Sequence, residues 1–307
     1  MRNVILPAKL QLIFDLCKAK SFLYLHISQK TCIFAGKMQP GNTLYRIGAY
    51  LRHYLTAWNT GGEGIHSPYL FYLVRMLMYD ANAYYCFAPI EKRRRAMLHT
   101  DQAIEITDFG TGATNKGTVY QRTIADIART SLESPRVGQL LFKWIAYIGH
   151  TAQRPLEIVE LGASLGITTA YLAAADSRNH ITTFEGSPAV ADIARHNWSK
   201  LNLNNIQLIM GNINDTLHNY VRESIDIAYI DANHTEEATL QYFEYLAPMA
   251  NEKSIFIIDD IHHSPQMHRA WLQICHHPQV TSTMDIWSSG IVFFNPHFLH
   301  KNYTLRL

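Results

Sequence analysis

The stretch from Leu156 to Ala175 reads L-E-I-V-E-L-G-A-S-L-G-I-T-T-A-Y-L-A-A-A. A short apolar run, Ile158 to Leu161, stops at a glycine and is followed by apolar and small residues at helical spacing, the pattern of a strand, a tight turn and a helix. Gly162 and Gly166 allow backbone conformations closed to other residues and a close approach to a ligand. The first turn of the new helix presents unpaired N–H groups at the same point. The pattern is that of a nucleotide-binding βα unit, in which main chain alone can hold a polar ligand.

Downstream, a second strand-like run, Ile181 to Phe184, ends at Glu185, near the distance at which an acidic residue meets ribose hydroxyls in dinucleotide folds. Upstream, Asp108-Phe109-Gly110-Thr111-Gly112 also spells D-x-G-x-G, but no strand and acidic residue follow it. Instead Ile124, Ile127 and Ala128 continue at helical spacing. Residues 108–118 are therefore expected to form a loop, whose functional reading is a lid over the site.

Beyond the central unit, strand and helix alternate. A helix opens at Ser187-Pro188 and runs to about Leu201, Ile206 to Met210 is a strand, Asn212 caps a short helix, and Ile225 to Ile230 is a strand. A helix from about Thr235 to Leu246 precedes the strand Ser254 to Ile258. Ser264-Pro265 opens a helix reaching His276, and Val280 to Met284 and Ile291 to Phe294 close the chain as strands. This predicts an α/β domain over residues 151–307, a doubly wound, Rossmann-like sheet of seven strands. Residues 42–150 read all-helical: Leu44, Ile47, Leu51, Leu55 and Trp58 follow helical spacing behind an Asn42 cap, and Ser67-Pro68 and Ser134-Pro135 open further helices. Residues 1–41 form an extension that matches no targeting class, and Met38 is a candidate translation start. The apolar run Leu10 to Ile27 is interrupted by Asp15, Lys18 and Lys20 and is too broken for a membrane span.

A formal charge of +2 gives no strong field for nucleic acid. The basic run Lys92 to Arg95 reads as a solvated helix face. Cys17, Cys32, Cys86 and Cys275 show no C-x-x-C spacing, which fits free thiols in a reducing, cytoplasmic compartment.

In an open α/β sheet, ligands lie beyond the carboxyl ends of the strands. Asp231 ends one strand there (I-A-Y-I-D-A-N-H) and Asp259 with Asp260 ends the next (I-F-I-I-D-D-I-H-H). If those strands are neighbours, about 4.8 Å apart, the carboxylates can converge on a hard cation such as Mg²⁺. His234, three residues past Asp231, is a candidate general base. His262 and His263 read as surface or supporting residues, and His66 as a residue that could reach the pocket from the helical part.

Together these motifs resemble a class I S-adenosylmethionine-dependent methyltransferase: E-L-G-A-S-L-G as its first motif, Phe184-Glu185-Gly186 as its second, Gly211-Asn212 as its third and Asp231 as its fourth. Within that superfamily, Asp231 with Asp259-Asp260 is similar to the metal-dependent O-methyltransferases of the catechol and macrocin types. The catechol type carries Asp-Asn where Asp259-Asp260 stand and a lysine where His234 stands, so the macrocin type, with a histidine, is closer. From about Tyr45 onward, including G-I-H-S-P, the chain also resembles a group of Bacteroidetes methyltransferases. The resemblance implies that Glu160, Gly162, Ala163, Ser164 and Gly166 surround the methionine and ribose of the cofactor, and that Glu185, beside Gly186, binds the ribose hydroxyls. It further implies that Asn212 and Ile213 flank the adenine, that Asp231, Asp259 and Asp260 hold Mg²⁺, and that His234 takes the proton from the hydroxyl of a small-molecule acceptor.

Two other readings share this catalytic half. A tRNA-modifying O-methyltransferase calls for a basic groove, which the composition argues against. A non-catalytic scaffold would have lost a carboxylate or a glycine from the motifs, and none is missing. A homodimer is open to either architecture.

Overall fold

Ser-Pro pairs open four of the helices, and the physical reason for each start is visible. The hydroxyls of Ser67, Ser134 and Ser264 accept the N–H groups of Leu70, Val137 and Met267, three residues on, in the first turn. At Ser187 the hydroxyl is diverted and accepts the N–H of Thr107 instead (3.3 Å). The computed structural model describes residues 40–109 and 118–306, so the expectations for residues 1–39, and the tip of the expected lid, lie outside the described residues.

In chain order the helical part comprises α1 (Pro40–Thr56), α2 (Pro68–Tyr72), which runs into a π-helical segment, and α3 (Phe87–Leu98). Then come β1 (Ala103–Asp108), β2 (Thr118–Thr123), α4 (Ile124–Ser131) and α5 (Pro135–Ala152). Within the region expected to be all-helical, β1 and β2 therefore form an antiparallel hairpin. The alternation of Ile104 and Ile106 with polar neighbours is the period-two signal of a half-buried strand, and the strong helical patterns on either side obscured it. Asp108 and Thr118, the ends of the expected loop, are the last residue of β1 and the first of β2. α1 starts at Pro40, two residues before the expected Asn42 cap.

The remainder alternates β3 (Glu157–Leu161), α6 (Ile167–Ala174), β4 (His180–Glu185), α7 (Pro188–Lys200), β5 (Ile206–Met210), α8 (Ile213–Thr216) and β6 (Ile225–Ile230). It continues with α9 (Glu236–Leu246), β7 (Ala250–Asp259), α10 (Pro265–Cys275), β8 (Ser282–Asp285), β9 (Ser289–Phe293) and β10 (Lys301–Thr304). The main sheet has eight strands in the order β10-β8-β9-β7-β6-β3-β4-β5, one more than the seven expected. The extra strand, β10, reads K-N-Y-T and buries only Tyr303 fully, too little for an apolar pattern to announce it. It pairs parallel to β8, whereas β9 runs antiparallel between β8 and β7.

Successive residues of the central strands face opposite layers, as a sheet covered on both sides requires. Ile158, Ile227 and Ile257 join Leu141, Trp144 and Ile145 of α5 on one face. Val159, Ala228 and Ile258 join Phe243 of α9 and Trp271 of α10 on the other. A third cluster, with Phe142, Tyr171 and Trp198, ties α3, α4 and the hairpin to α6 and α7. Part of the basic run also belongs to this packing. Arg94 is buried and donates to the Glu133 carbonyl and the Glu91 carboxylate, and Arg93 donates to Asn197 (2.7 Å), while Lys92 and Arg95 are exposed as expected. Cys86 and Cys275 are free thiols. Among the described residues, no helix is long and apolar enough to cross a membrane.

Candidate active site

Strand order places the site. β3 lies between β4 and β6, all three parallel, so the chain leaving β3 turns at the point where connections depart in opposite directions, the crevice an open α/β sheet offers to ligands. Gly162 and Gly166 both have left-handed backbone there (φ 100° and 76°). The N–H groups of Gly162 and Ala163 donate to the Phe184 carbonyl at 3.1 and 2.9 Å. A side chain on Gly166 would run into the Trp198 indole, whose Nε1 already donates to the Gly166 carbonyl (2.8 Å). The turn is thus a fixed cradle pinned between β4 and α7.

Glu185 stands at the end of β4 against this turn. Its Oε2 accepts the Ser164 N–H at 2.9 Å and its Oε1 the Ser187 N–H at 2.8 Å. Ser164 itself is left-handed (φ 48°), and its hydroxyl is 2.7 Å from that of Ser131. The structure therefore brings Gly162, Ala163, Ser164, Gly166, Glu185 and Gly186 together. Gly211 donates its N–H to the Glu185 carbonyl (3.0 Å), and the Asn212 side chain caps α8 by accepting from Asn214, which puts Asn212 and Ile213 at the next strand end.

Glu160 lies one layer down. It is fully buried, and its Oε2 accepts the hydroxyls of Thr169 (2.5 Å) and Thr183 (2.6 Å). Its Oε1 is buried with no hydrogen-bond partner. Burial pushes this carboxyl up to about 7, against the opposing effect of the two threonine hydroxyls.

The two aspartate strands are neighbours, as the sequence reading required. β6 pairs parallel with β7, Ile230 opposite Ile258, so Asp231 and Asp259 come side by side one step further along. Asp259 is buried and its Oδ1 accepts the Ser289 hydroxyl (2.8 Å). At Asp260 the backbone becomes left-handed (φ 52°) and its N–H reaches the Ser288 carbonyl (2.7 Å). His234 Nε2 is 3.4 Å from Asp231 Oδ1, and His263 Nδ1 is 3.6 Å from Asp260 Oδ2. The two imidazoles stack with centroids 5.9 Å apart, so Asp231 and Asp260 flank a stacked histidine pair.

Some expectations change. His66 is exposed, just ahead of α2. His262, expected at the surface or in support, is buried, and with His53 and Asp285 it forms the set of ligand-type side chains whose donor atoms lie within 4.8 Å of one another among the described residues. Phe109, from the D-F-G-T-G stretch, sits on the second motif, its ring where a side chain on Gly186 would be (2.6 Å). Periodicity gave no sign of that contact, because it joins a hairpin to a strand end far along the chain.

Residues 159–261 match the family model described as a methyltransferase domain. No curated protein matches the chain at a significant level. Among solved structures, the O-methyltransferase from Bacillus cereus in complex with SAH is similar at 24% identity over 53% of this chain and 81% of that one, with a TM-score of 0.45. The O-methyltransferase TomG from Streptomyces achromogenes, involved in Tomaymycin synthesis and in complex with SAM, is similar at 16% over 53% and 81%, TM-score 0.45. A methyltransferase from Geobacter sulfurreducens follows at 14% over 56% and 85%, TM-score 0.46. These likenesses are distant, and it is the family match, seated on this strand order and this glycine turn, that decides. Over residues 159–261 the chain is therefore similar to a methyltransferase domain.

Proposed function

We propose that the enzyme transfers a methyl group from S-adenosylmethionine to the hydroxyl of a small molecule, with Mg²⁺ at the acceptor site. The observation that carries the cofactor reading is Glu185, held at the end of β4 by the Ser164 and Ser187 N–H groups. An acidic side chain fixed beside a glycine turn is the arrangement that receives ribose hydroxyls. Gly162, Ala163, Ser164 and Gly166 would line the methionine and ribose, Gly186 the ribose edge, and Asn212 and Ile213 the adenine. S-adenosylmethionine supplies an electrophilic methyl group, and transfer forms a carbon–oxygen bond as the carbon–sulfur bond breaks.

Asp231, Asp259 and Asp260 stand at two adjacent strand ends and would offer oxygen donors suited to a hard cation, although among the described residues the ligand-type atoms that already lie within 4.8 Å of one another are those of His53, His262 and Asp285. The three aspartates would hold magnesium, which would supply the Lewis acidity that lowers the pKa of the acceptor hydroxyl. His234, against Asp231, is placed to take the hydroxyl proton. Fixed walls on the cofactor side and carboxylates on the acceptor side leave the protein mainly a positioning task.

The test is a screen of hydroxylated acceptors, catechols and sugars included, with S-adenosylmethionine in MgCl₂ or in EDTA. Methylated product that needs the metal and disappears in Asp260→Ala supports the reading. Full turnover in EDTA by Asp260→Ala removes the metal from it.

A further inference from the structure

Away from the glycine turn, β8 ends at Asp285, which pairs with Gly290 of β9, itself opposite Ile258 of β7. Two strand spacings, about 10 Å, therefore separate Asp285 from the β7 end that carries Asp259, and three, about 15 Å, from the β6 end that carries Asp231. His53 of α1 and His262, just past β7, converge on it. His262 Nε2 is 2.7 Å from Asp285 Oδ2, and His53 Nδ1 is 3.2 Å from Asp285 Oδ1. The histidines are 5% and 7% exposed.

The hydrogen bonding around His53 shows what the cluster lacks. His53 Nε2 lies 3.0 Å from the Leu305 carbonyl, which can only accept, so Nε2 carries the proton. In the neutral imidazole, Nδ1 then has a lone pair and no hydrogen. That lone pair faces a carboxylate oxygen, and Nδ1 has no hydrogen-bond partner. Two electron-rich atoms at 3.2 Å call for a positive charge between them, either a proton on Nδ1 or a metal ion. A ring N–H that donates to a main-chain carbonyl, leaving the other nitrogen's lone pair for the ion, is the way proteins orient a metal-binding histidine.

The surroundings hold the rings in place. His262 stacks on Trp287 (centroids 4.9 Å, 14°) and on His268 (5.2 Å, 29°), and Trp287 also contacts His53 (5.6 Å). His268 Nδ1 is buried and without a partner. The cluster opens on a cavity of about 330 Å³ whose wall includes Tyr45, Arg52 and His268.

We propose that His53, His262 and Asp285 form a zinc site, distinct from the Asp231, Asp259 and Asp260 group, with its fourth position open to this cavity. Two imidazoles and one carboxylate are a zinc donor set, and a three-residue site leaves one position for water or an oxygen ligand. Magnesium is disfavoured, because two of the three donors are imidazole nitrogens.

The experiment uses the full chain stripped of metal and titrated with Zn²⁺ against a chromophoric chelator, and with Co²⁺ as a spectroscopic probe. One tight equivalent is expected, with the visible absorption of four-coordinate Co²⁺ and an X-ray absorption spectrum showing nitrogen and oxygen neighbours near 2.0 Å. His53→Gln, His262→Gln and Asp285→Asn should each weaken binding at least tenfold, whereas Asp231→Asn should not. Absence of a tight equivalent in the wild-type chain overturns the proposal without reference to any variant, and leaves the cluster as a structural contact between α1 and β8. A tight equivalent that survives all three substitutions overturns it too, since zinc would then sit on other histidines.

Discussion

The main-chain carbonyl of Asp231 occupies the place a side chain on Gly162 would need: an ideal Cβ there would lie 2.2 Å from that oxygen. The first turn of the cofactor cradle and the strand end that carries the first aspartate are thereby in direct backbone contact, reinforced by the Asp231 N–H donating to the Leu161 carbonyl at 3.0 Å.

Gly162→Ala should for this reason be costly. The φ of 100° disfavours any L side chain, and the opposing atom is backbone that cannot swing away. Strain and overpacking together should lower stability by roughly 3 kcal/mol or more, read from urea melts. A melt like that of the wild type would mean that β3 and β6 part more easily at this point than the structure shows.

Glu185→Ala should weaken S-adenosylmethionine binding by about 1.5 to 3 kcal/mol, the scale of hydrogen bonds to a charged group, as measured by calorimetry. Because Glu185 also accepts from Ser164 and Ser187, Glu185→Gln, which retains one acceptor oxygen, should lose less than Ala. Equal affinity in all three proteins would take Glu185 out of the ribose site.

The buried Glu160 gives a pH signature. Its carboxyl is raised from 4.5 to about 7 in the folded chain, so the native state holds this proton more tightly than the unfolded state does. The contribution is complete below about pH 4.5, is lost as pH rises toward 7, and stays lost above it, about 3 kcal/mol in all. Glu160→Gln mimics the protonated acid. It should match the wild type at pH 5 and exceed it by about that amount at pH 8 in ligand-free melts. A stability difference that does not change between these pH values would return Glu160 to the ordinary carboxyl range.

His234→Ala should leave cofactor binding intact and, once an acceptor is known, lower turnover by roughly 10² to 10⁴, the usual contribution of a positioned base, with partial recovery at high pH where the acceptor ionises unaided. Steady-state pH profiles decide it. Normal turnover in the variant would leave His234 as the stacking partner of His263 and no more.

Periodicity was enough to set out the doubly wound half of the molecule. Ile158 to Leu161, Ile225 to Ile230 and the Ser-Pro helix starts are local signals, written within a few residues of one another, and the structure places those elements within a residue or two of the expected bounds. The glycine turn and Glu185 were legible for the same reason, since both follow from a strand, a turn and the next strand end. Only tertiary structure decided that Phe109 covers Gly186, that a sparse K-N-Y-T segment adds an edge strand, and that His262 is buried against Asp285. It also joined His53 to Leu305, 252 residues away. Contacts between distant segments carry no period, because they depend on which strand edges and helix faces remain uncovered once the local elements have packed.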